Sequence, residues 1–86
     1  MTDEELLVEC RKGLGYTVSS EAIDASINQK MQIAKAFMLG AGVPEESIYN
    51  MVAIGALVCG ISDIWNLEAG KVKFSELFFM LTNQLR

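Results

Sequence analysis

Apolar and polar positions alternate at helical spacing in the first part of the chain. Thr2 and Glu5 are spaced as a capping box, in which each side chain bonds the other residue's backbone N–H at a helix start. Leu6 and Cys10 then recur one turn apart. The pattern predicts a first helix over about residues 2–12, ended by the glycines that follow it.

The longest amphipathic pattern predicts a second helix of about 20 residues. Its apolar positions step by four, four, three and four residues: Ile23, Ile27, Met31, Ala34 and Met38. Polar residues take the other face, as expected for a helix with one side in a core. Ser19 or Ser20 is expected to cap this helix, and Gly40 and Gly42 to stop it.

The segment after Gly42 predicts two more helices. Pro44 suits the first position of a helix, which Asn50 is expected to break after about two turns. A mostly apolar helix is then expected over residues 51–65. It contains Gly55 and Gly60, each costing about 1 kcal/mol relative to Ala inside a helix. We therefore expect both glycines to permit tight helix packing.

A last helix is predicted after Ser75, which can cap it. Its expected apolar side consists of Leu77, Phe78, Leu81 and Leu85. Residues 66–74 contain Gly70 and read as a loop or short hairpin. The pattern as a whole predicts one all-α domain over residues 1–86, a small bundle of four to five helices with a short loop or hairpin before the last.

Composition adds a question about the surface. Apolar residues are 51% of the chain, which is high for a domain of this size. Either the core is unusually rich, or some apolar surface is reserved for neighbouring subunits, and we favour the second. The net charge of −4 argues against DNA binding by an isolated subunit, since such binding needs a basic surface.

The residues available for chemistry argue against an enzyme. The chain has no histidine, so the usual general base near neutral pH is absent and serine has no histidine to activate it. Its two cysteines, Cys10 and Cys59, lie among apolar residues without a metal-ligand spacing, which favours buried free thiols of a reducing compartment. We expect no catalytic site, no metal and no cofactor.

The apolar run at residues 51–61 is eleven residues long, whereas a membrane-spanning helix needs about 20. The start of the chain also lacks the pattern of a signal peptide, because acids stand where a basic region would. We therefore expect a core or interface helix and no contact with a membrane.

Two residues near the end of that helix are candidates for contacts. Asp63 ends the apolar run, and it is expected to make a structural hydrogen bond or a salt bridge to another subunit. Trp65 is large and amphipathic, so it can close one end of the bundle or anchor an interface.

Lys71 and Lys73 flank a valine in the glycine-containing segment before Phe74. A phosphate-binding loop would need more glycines and a helix directly after them. Three interpretations stay open for this segment: a solvated loop, a loop that docks on an acidic partner, or a contact with DNA phosphate.

Three stretches taken in order, GVPEESI, AIGALVCGISDIWN and AGKVKFSELFFMLTNQL, resemble the small head–tail connector proteins of tailed bacteriophages, also called adaptor or head-completion proteins. The opening TDEELLVECRKGLG is also similar to the family's start. The matching residues are Gly42, Val43, Gly60, Asp63, Trp65, Asn66, Gly70, Lys73, Phe74 and Ser75. The chain departs from the common pattern at Glu76, where proline is frequent, and in a more apolar helix over residues 51–61.

The resemblance implies a homo-oligomeric ring, commonly twelve-fold, docked beneath the portal protein in the neck of the virion and assembled in the host bacterial cytoplasm. Such a ring joins head to tail, offers a platform to the next neck or tail-completion protein, and extends the channel through which genomic DNA passes without sequence-specific binding. An acidic subunit would line that channel with negative potential. The function implied is structural.

On this interpretation we predict that one set of residues makes partner or subunit contacts: Asp63, Trp65, Asn66, Lys71, Lys73, Phe74 and Phe78. The alternative is a small helical adaptor or regulatory module that binds a partner's helix in a methionine-rich groove. Stoichiometry separates the two, because a connector forms rings and an adaptor binds one partner.

Overall fold

The computed structural model describes residues 1–16, 20–65 and 74–86, and within these ranges it contains helices and no strand. The predicted all-α class with four to five helices is confirmed. The helices are α1 (Asp3–Gly13), α2 (Glu21–Gly40), α3 (Glu45–Ile48), a 3-10 turn (Met51–Ala53), α4 (Ile54–Trp65) and α5 (Glu76–Leu85). None of the helices in the described ranges is both long enough and apolar enough to cross a membrane.

The first helix begins and ends as the sequence predicts. Thr2 Oγ1 accepts the Glu5 backbone N–H at 3.2 Å, and Glu5 Oε1 accepts the Thr2 backbone N–H at 3.0 Å. The capping box is therefore complete, and it satisfies two donors that a helix start leaves unpaired. The chain leaves α1 through Gly15, whose φ of +87° lies in the region that favours glycine.

The second helix is 20 residues long, as predicted, and it buries the expected stripe. Ile27, Met31, Ala34 and Met38 have no exposed surface. Ser20 occupies the cap position, but its side chain makes no capping hydrogen bond. Gly42, with φ +98°, then lets the chain reverse so that Val43 enters the core.

The segment between α2 and α4 differs from the prediction. Pro44 lies at the cap position rather than inside the helix, and α3 is a single turn of four residues rather than two turns. Asn50 Oδ1 then accepts the Val52 backbone N–H at 3.2 Å and starts the 3-10 turn. The asparagine side chain competes for backbone donors, which shortens one helix and begins the next.

The helix α4 packs against α1, α2 and α5, and it contacts α2 and α5 tightly at Gly60. A Cβ on Gly60 would lie 2.6 Å from Phe78 Cε1 and 3.0 Å from Ala34 Cβ, so the glycine permits the tight packing that the sequence predicts. The same expectation is wrong for Gly55. That residue is exposed, and no atom of the described part of the chain lies within 4 Å of the place where its Cβ would stand.

The last helix starts at Ser75, whose Oγ accepts the Phe78 backbone N–H at 3.2 Å, as predicted. Phe78 and Thr82 face the core, and Leu81 and Leu85 pack beside them. Leu77, expected on the apolar core side, is instead 56% exposed. One residue along a helix is a turn of about 100°, so the burial of Phe78 directs Leu77 outward.

Polar contacts join the N-terminal helices. Arg11 Nη1 of α1 lies 3.1 Å from Asp24 Oδ2 of α2. Lys35 Nζ of α2 donates to Asp3 Oδ1 at 3.1 Å and to Tyr49 Oη at 2.8 Å. The hydrogen bond from Lys35 lowers the pKa of Asp3, and the hydrogen bonds to Tyr49 and Asp3 raise the pKa of Lys35 against its desolvation.

Candidate interaction surface

Asp63 fastens the start of α5 to the end of α4. Its Oδ2 atom accepts the Ser75 backbone N–H at 3.0 Å and the Ser75 hydroxyl at 2.8 Å. The Cys59 thiol lies 3.5 Å from the Ser75 hydroxyl oxygen and 3.9 Å from the same carboxylate oxygen. Of the two roles predicted for Asp63, the structure contains the structural hydrogen bond, and the contact with another subunit stays a prediction.

Four phenylalanines form one aromatic cluster where α2 meets α5. The ring centroids of Phe74 and Phe78 are 4.4 Å apart, and Phe37 lies 4.8 Å from Phe74 and 5.6 Å from Phe79. Phe74 is half-buried and keeps some surface for a partner. Phe78 has none, because it fills the space above Gly60, so we remove it from the candidate contact residues as a correction.

Trp65 lies at the end of α4 with 37% of its surface exposed. Its ring stacks on Tyr16 with centroids 5.9 Å apart, and Lys30 Nζ lies 4.6 Å from the ring centroid. Trp65 and Tyr16, together with Leu14 and Ser62, line a shallow open pocket of about 180 Å³. The side chain thus closes one end of the bundle and leaves one face exposed, and the interface role predicted for it stays a prediction.

Three of the candidate contact residues, Asn66, Lys71 and Lys73, lie outside the described residues. The loop or hairpin expected before the last helix lies there as well. The docking role of the two lysines therefore stays a prediction from the sequence.

The structure exposes apolar side chains that the sequence pattern did not single out as contact residues. On α5, Leu77 is 56% and Met80 59% exposed, and Phe79 on the side towards α2 is 42% exposed. On α2, Ile33 is 46% exposed. The signal was present in the sequence: residues 77–81 are five consecutive apolar residues, which gives a helix that one neighbour cannot cover.

Charges are distributed unevenly over the surface. The five basic residues of the described ranges each have an ion-pair or hydrogen-bond partner: Arg11, Lys12, Lys30, Lys35 and Arg86. Six exposed carboxylates make no ion pair with any residue that the structure describes: Glu4, Glu5, Glu21, Glu45, Glu46 and Glu76. The unpaired charge on this part of the surface is therefore mainly acidic.

The described residues contain no group of three histidine, cysteine or carboxylate side chains able to hold a metal ion. Both cysteines are free, as predicted; Cys10 is buried, Cys59 only partly so, and burial raises the pKa of the Cys10 thiol to about 11. Met31 and Met38 are fully buried in the core, whereas Met1, Met51 and Met80 are 37%, 59% and 59% exposed, so the methionine-rich groove of the adaptor hypothesis stays a prediction.

Comparison with known proteins returns no relative. No protein-family model, no curated protein and no solved structure matches the chain. The resemblance to head–tail connectors therefore depends on the residues that carry it, and on what the fold does with them.

Proposed function

We propose that this chain is a structural subunit of the neck of a tailed bacteriophage. Its copies form a ring beneath the portal protein, join the head to the tail and extend the channel through which the genome passes. The DNA makes no sequence-specific contact with the ring. The proposed role is structural and includes no catalysed reaction.

The observation that carries the proposal is that residues from different resembling stretches contact each other directly. Asp63 and Ser75 come from two of the resembling stretches, and the hydroxyl of one donates to the carboxylate of the other at 2.8 Å. Gly60 admits Phe78 of the last stretch, and Gly42 turns the chain with φ +98°. These contacts hold residues of two resembling stretches in one packed unit, which supports their interpretation as parts of one arrangement.

The exposed apolar surface supports an assembly role. Leu77, Phe79 and Met80 project from α5, and Ile33 from α2. Exposed apolar clusters on small proteins mark contacts with other macromolecules more often than scattered single residues do. This agrees with the interpretation of the apolar surplus as surface reserved for neighbouring subunits.

The charge supports a channel that does not hold DNA. The chain carries −4, and its unpaired exposed charges in the described ranges are mainly carboxylates. Carboxylates repel the phosphate backbone, so a lumen lined by them would let DNA slide. A lumen lined mostly by Lys and Arg, once a ring is imaged, would contradict this part of the proposal.

The test is a pull-down of the tagged chain from cells that express a complete set of phage or prophage structural proteins. We expect mass spectrometry to identify a portal protein and a neck protein, and electron microscopy of the eluate to show rings. Recovery of one non-virion protein at equal stoichiometry would instead support the adaptor hypothesis and exclude the connector.

A charge reversal tests the docking loop in the same assay. Lys71→Glu combined with Lys73→Glu is expected to reduce recovery of the portal and the virion yield while leaving the thermal unfolding unchanged. The matched control is Lys12→Glu combined with Arg86→Glu, which changes the net charge equally at other exposed positions. Equal loss in both double variants would show a general charge effect and would count against docking by this loop.

A further inference from the structure

The start of α4 contains a glycine that the packing of the described chain does not require. Glycine inside a helix lowers stability relative to alanine. Gly60 is needed for packing, whereas Gly55 is exposed, and no described atom lies within 4 Å of the place of its Cβ. The backbone does not require it either, because only Gly15 and Gly42 of the described glycines have a positive φ. A glycine at such a place lets another molecule approach the helix backbone closely.

Two exposed apolar side chains lie beside this glycine. Met51 is 59% and Val52 66% exposed, and Val52 is the most exposed large apolar side chain of the described ranges. The 3-10 turn runs directly into α4, so Met51 and Val52 lie four and three residues before Gly55, where helical neighbours meet. We call Met51, Val52 and Gly55 the entry surface. It consists of two apolar side chains next to a bare stretch of helix backbone.

The rim of the entry surface is acidic. Glu45 and Glu46 belong to α3, which packs against the 3-10 turn, and both are exposed. Neither forms an ion pair with a described residue. Lys35 and Arg86 contact the chain close to α3, but each bonds another partner. The charge at this rim therefore attracts a basic group.

Other exposed apolar side chains lack this combination. Leu77 and Met80 lie on α5, which has one acid, Glu76, is followed by one base, Arg86, and contains no glycine. Charge therefore does not indicate what covers them. Two carboxylates without ion pairs, a glycine without a packing role and two exposed apolar side chains occur together only in the described segment 45–55.

The form of the surface indicates the form of its occupant. An extended peptide binds by adding a strand to a sheet edge, and the described ranges contain no strand. A proline-rich peptide binds in a groove lined by aromatic side chains, and the entry surface has none. An amphipathic helix binds exposed apolar side chains of another helical protein, and a glycine lets the two helices approach closely.

We infer that the entry surface binds a basic amphipathic helix of a partner protein. One apolar side chain of that helix lies over Gly55 and packs against Met51 and Val52. Lysine or arginine side chains at the edge of its apolar face pair with Glu45 and Glu46. This inference goes beyond the proposed function and does not depend on it, because it names a surface and a partner chemistry and not an assembly.

The size of the entry surface sets the strength of the contact. Two apolar side chains and one glycine bury less than the roughly 1,200 Å² of the smallest stable interfaces. Binding is therefore expected to be weak, with a dissociation constant on the order of 100 µM. The charge pairs stay open to solvent, so salt weakens them, because the Debye length falls from about 10 Å at 0.1 M to about 3 Å at 1 M.

The test uses a synthetic peptide as the partner. The peptide has about 18 residues, with leucines on one face of the helix and lysines on the other. Isothermal titration calorimetry with the full chain is expected to show saturable binding at equal stoichiometry, and heteronuclear NMR should show shift changes centred on residues 51–55. Raising the salt concentration should weaken binding several-fold. Equal binding of a peptide with glutamates in place of the lysines would overturn the inference.

Gly55→Ala is the most informative variant, because its expected effects on binding and on stability have opposite signs. The new methyl group occupies the place of the partner's side chain, so the dissociation constant should rise about five-fold. Thermal unfolding should move to a higher temperature, so misfolding cannot explain the loss. The matched control is Gly40→Ala, at the exposed end of α2, which should bind like the unaltered chain. Unchanged binding by Gly55→Ala would overturn the inference.

A second pair of variants tests the acidic rim. Glu45→Gln combined with Glu46→Gln should raise the dissociation constant about five-fold at low salt and remove most of the salt dependence. The matched control, Glu21→Gln combined with Glu76→Gln, changes the net charge equally at exposed carboxylates elsewhere. Equal loss of binding in both double variants would show a general attraction to an acidic chain and would overturn the inference.

Other occupants give different results in the same experiments. Shift changes centred on Leu77 and Met80 would place the peptide on α5 and overturn the inference. Self-association of the unaltered chain that Val52→Ser abolishes would show a second copy at the entry surface and would also overturn it. Peptide binding at this surface without any virion protein in the pull-down would keep the inference and reject the connector.

Discussion

The two halves of the molecule share one apolar core and differ in the contacts that are added to it. Ion pairs and hydrogen bonds near the surface link α1, α2 and the residue after α3, through Arg11 with Asp24 and through Lys35 with Asp3 and Tyr49. In contrast, α5 is held on α4 by close packing at one glycine and by one carboxylate, Asp63.

This difference in contacts determines where a substitution has a small or a large effect on stability. Ion pairs that stay partly open to solvent contribute about 0–1 kcal/mol, so the polar contacts of the N-terminal half are individually small and can be lost one at a time. The attachment of α5 includes a close contact at Gly60 and two hydrogen bonds to Asp63, which are sensitive to single substitutions. Substitutions in α4 and α5 should therefore have larger effects than substitutions in the polar contacts of α1 and α2.

The largest effect is expected from Gly60→Ala. The new methyl group would lie 2.6 Å from Phe78 Cε1, and the ring cannot retreat easily because Phe37 and Phe74 pack against it. Overpacking of this kind lowers the free energy of unfolding by about 2 kcal/mol. Urea unfolding measures this loss. Gly55→Ala is the control on the same helix, and it should gain up to about 1 kcal/mol because its site is open. Equal changes in the free energy of unfolding for Gly60→Ala and Gly55→Ala would show that the two sites do not differ in packing.

Asp63→Ala should lower the free energy of unfolding by about 1.5 kcal/mol, because it removes the acceptor of two hydrogen bonds from Ser75 at a partly buried site. Thermal unfolding followed by circular dichroism measures the loss. Glu45→Ala removes an exposed carboxylate that makes no ion pair with a described residue, and it should change stability by less than about 0.5 kcal/mol. A loss no larger than that of Glu45→Ala would show that Asp63 does not hold α5.

Thr82→Val should raise the free energy of unfolding by about 1 kcal/mol. The Thr82 hydroxyl is buried and has no hydrogen-bond partner among the described residues, so its removal relieves the cost of burying an unpaired polar group. The same substitution at Thr2 should have the opposite sign and cost about 1 kcal/mol, since that hydroxyl caps α1. Destabilisation by Thr82→Val would mean that the hydroxyl has a partner in solution.

The smallest effect is expected from Asp3→Asn, at about 0.5 kcal/mol near pH 6. The pKa of Asp3 is lowered below its ordinary value of 3.8, mainly by the hydrogen bond from Lys35. The carboxylate therefore stabilises the fold above about pH 3.8, and this contribution is lost as the pH falls through the lowered pKa. The difference in the free energy of unfolding between the Asp3→Asn chain and the unaltered chain should disappear near pH 2. Urea unfolding measures it.

The matched control for this pH dependence is Glu4→Gln, which removes a neighbouring exposed carboxylate that forms no ion pair among the described residues. The Lys35 side of the pair works in the other direction. Its pKa is raised above 10.5, so its contribution is complete below that pH and is lost as the pH rises through the raised value. A difference between Asp3→Asn and the unaltered chain that persists at pH 2 would contradict the ion-pair explanation.

Local signals in the sequence were sufficient for α1, α2 and the start of α5. The capping box of Thr2 and Glu5 and the cap at Ser75 involve residues within one turn, so spacing alone predicts them. The four-residue length of α3 was not predictable in this way, because the outcome depended on competition between Asn50 and the backbone.

The candidate contact residues were harder to predict because α5 is apolar on every side. A helix with one apolar face shows which side is buried, but residues 77–81 give no such direction. The choice is made by Gly60, which is distant in sequence and accepts Phe78, so that Leu77 and Met80 face outward. The roles of Asn66, Lys71 and Lys73 stay predictions from the sequence.

The stacked arrangement of Trp65, Tyr16 and Lys30 provides a natural optical probe. Trp65 is the single tryptophan of the chain, so its fluorescence emission comes from one known place. With 37% of its surface exposed and a ring stacked at 5.9 Å on a tyrosine, its emission responds both to separation from Tyr16 and to anything that covers its outer face. Folding of the chain and docking of a partner at this end of α4 can thus be followed without any added label.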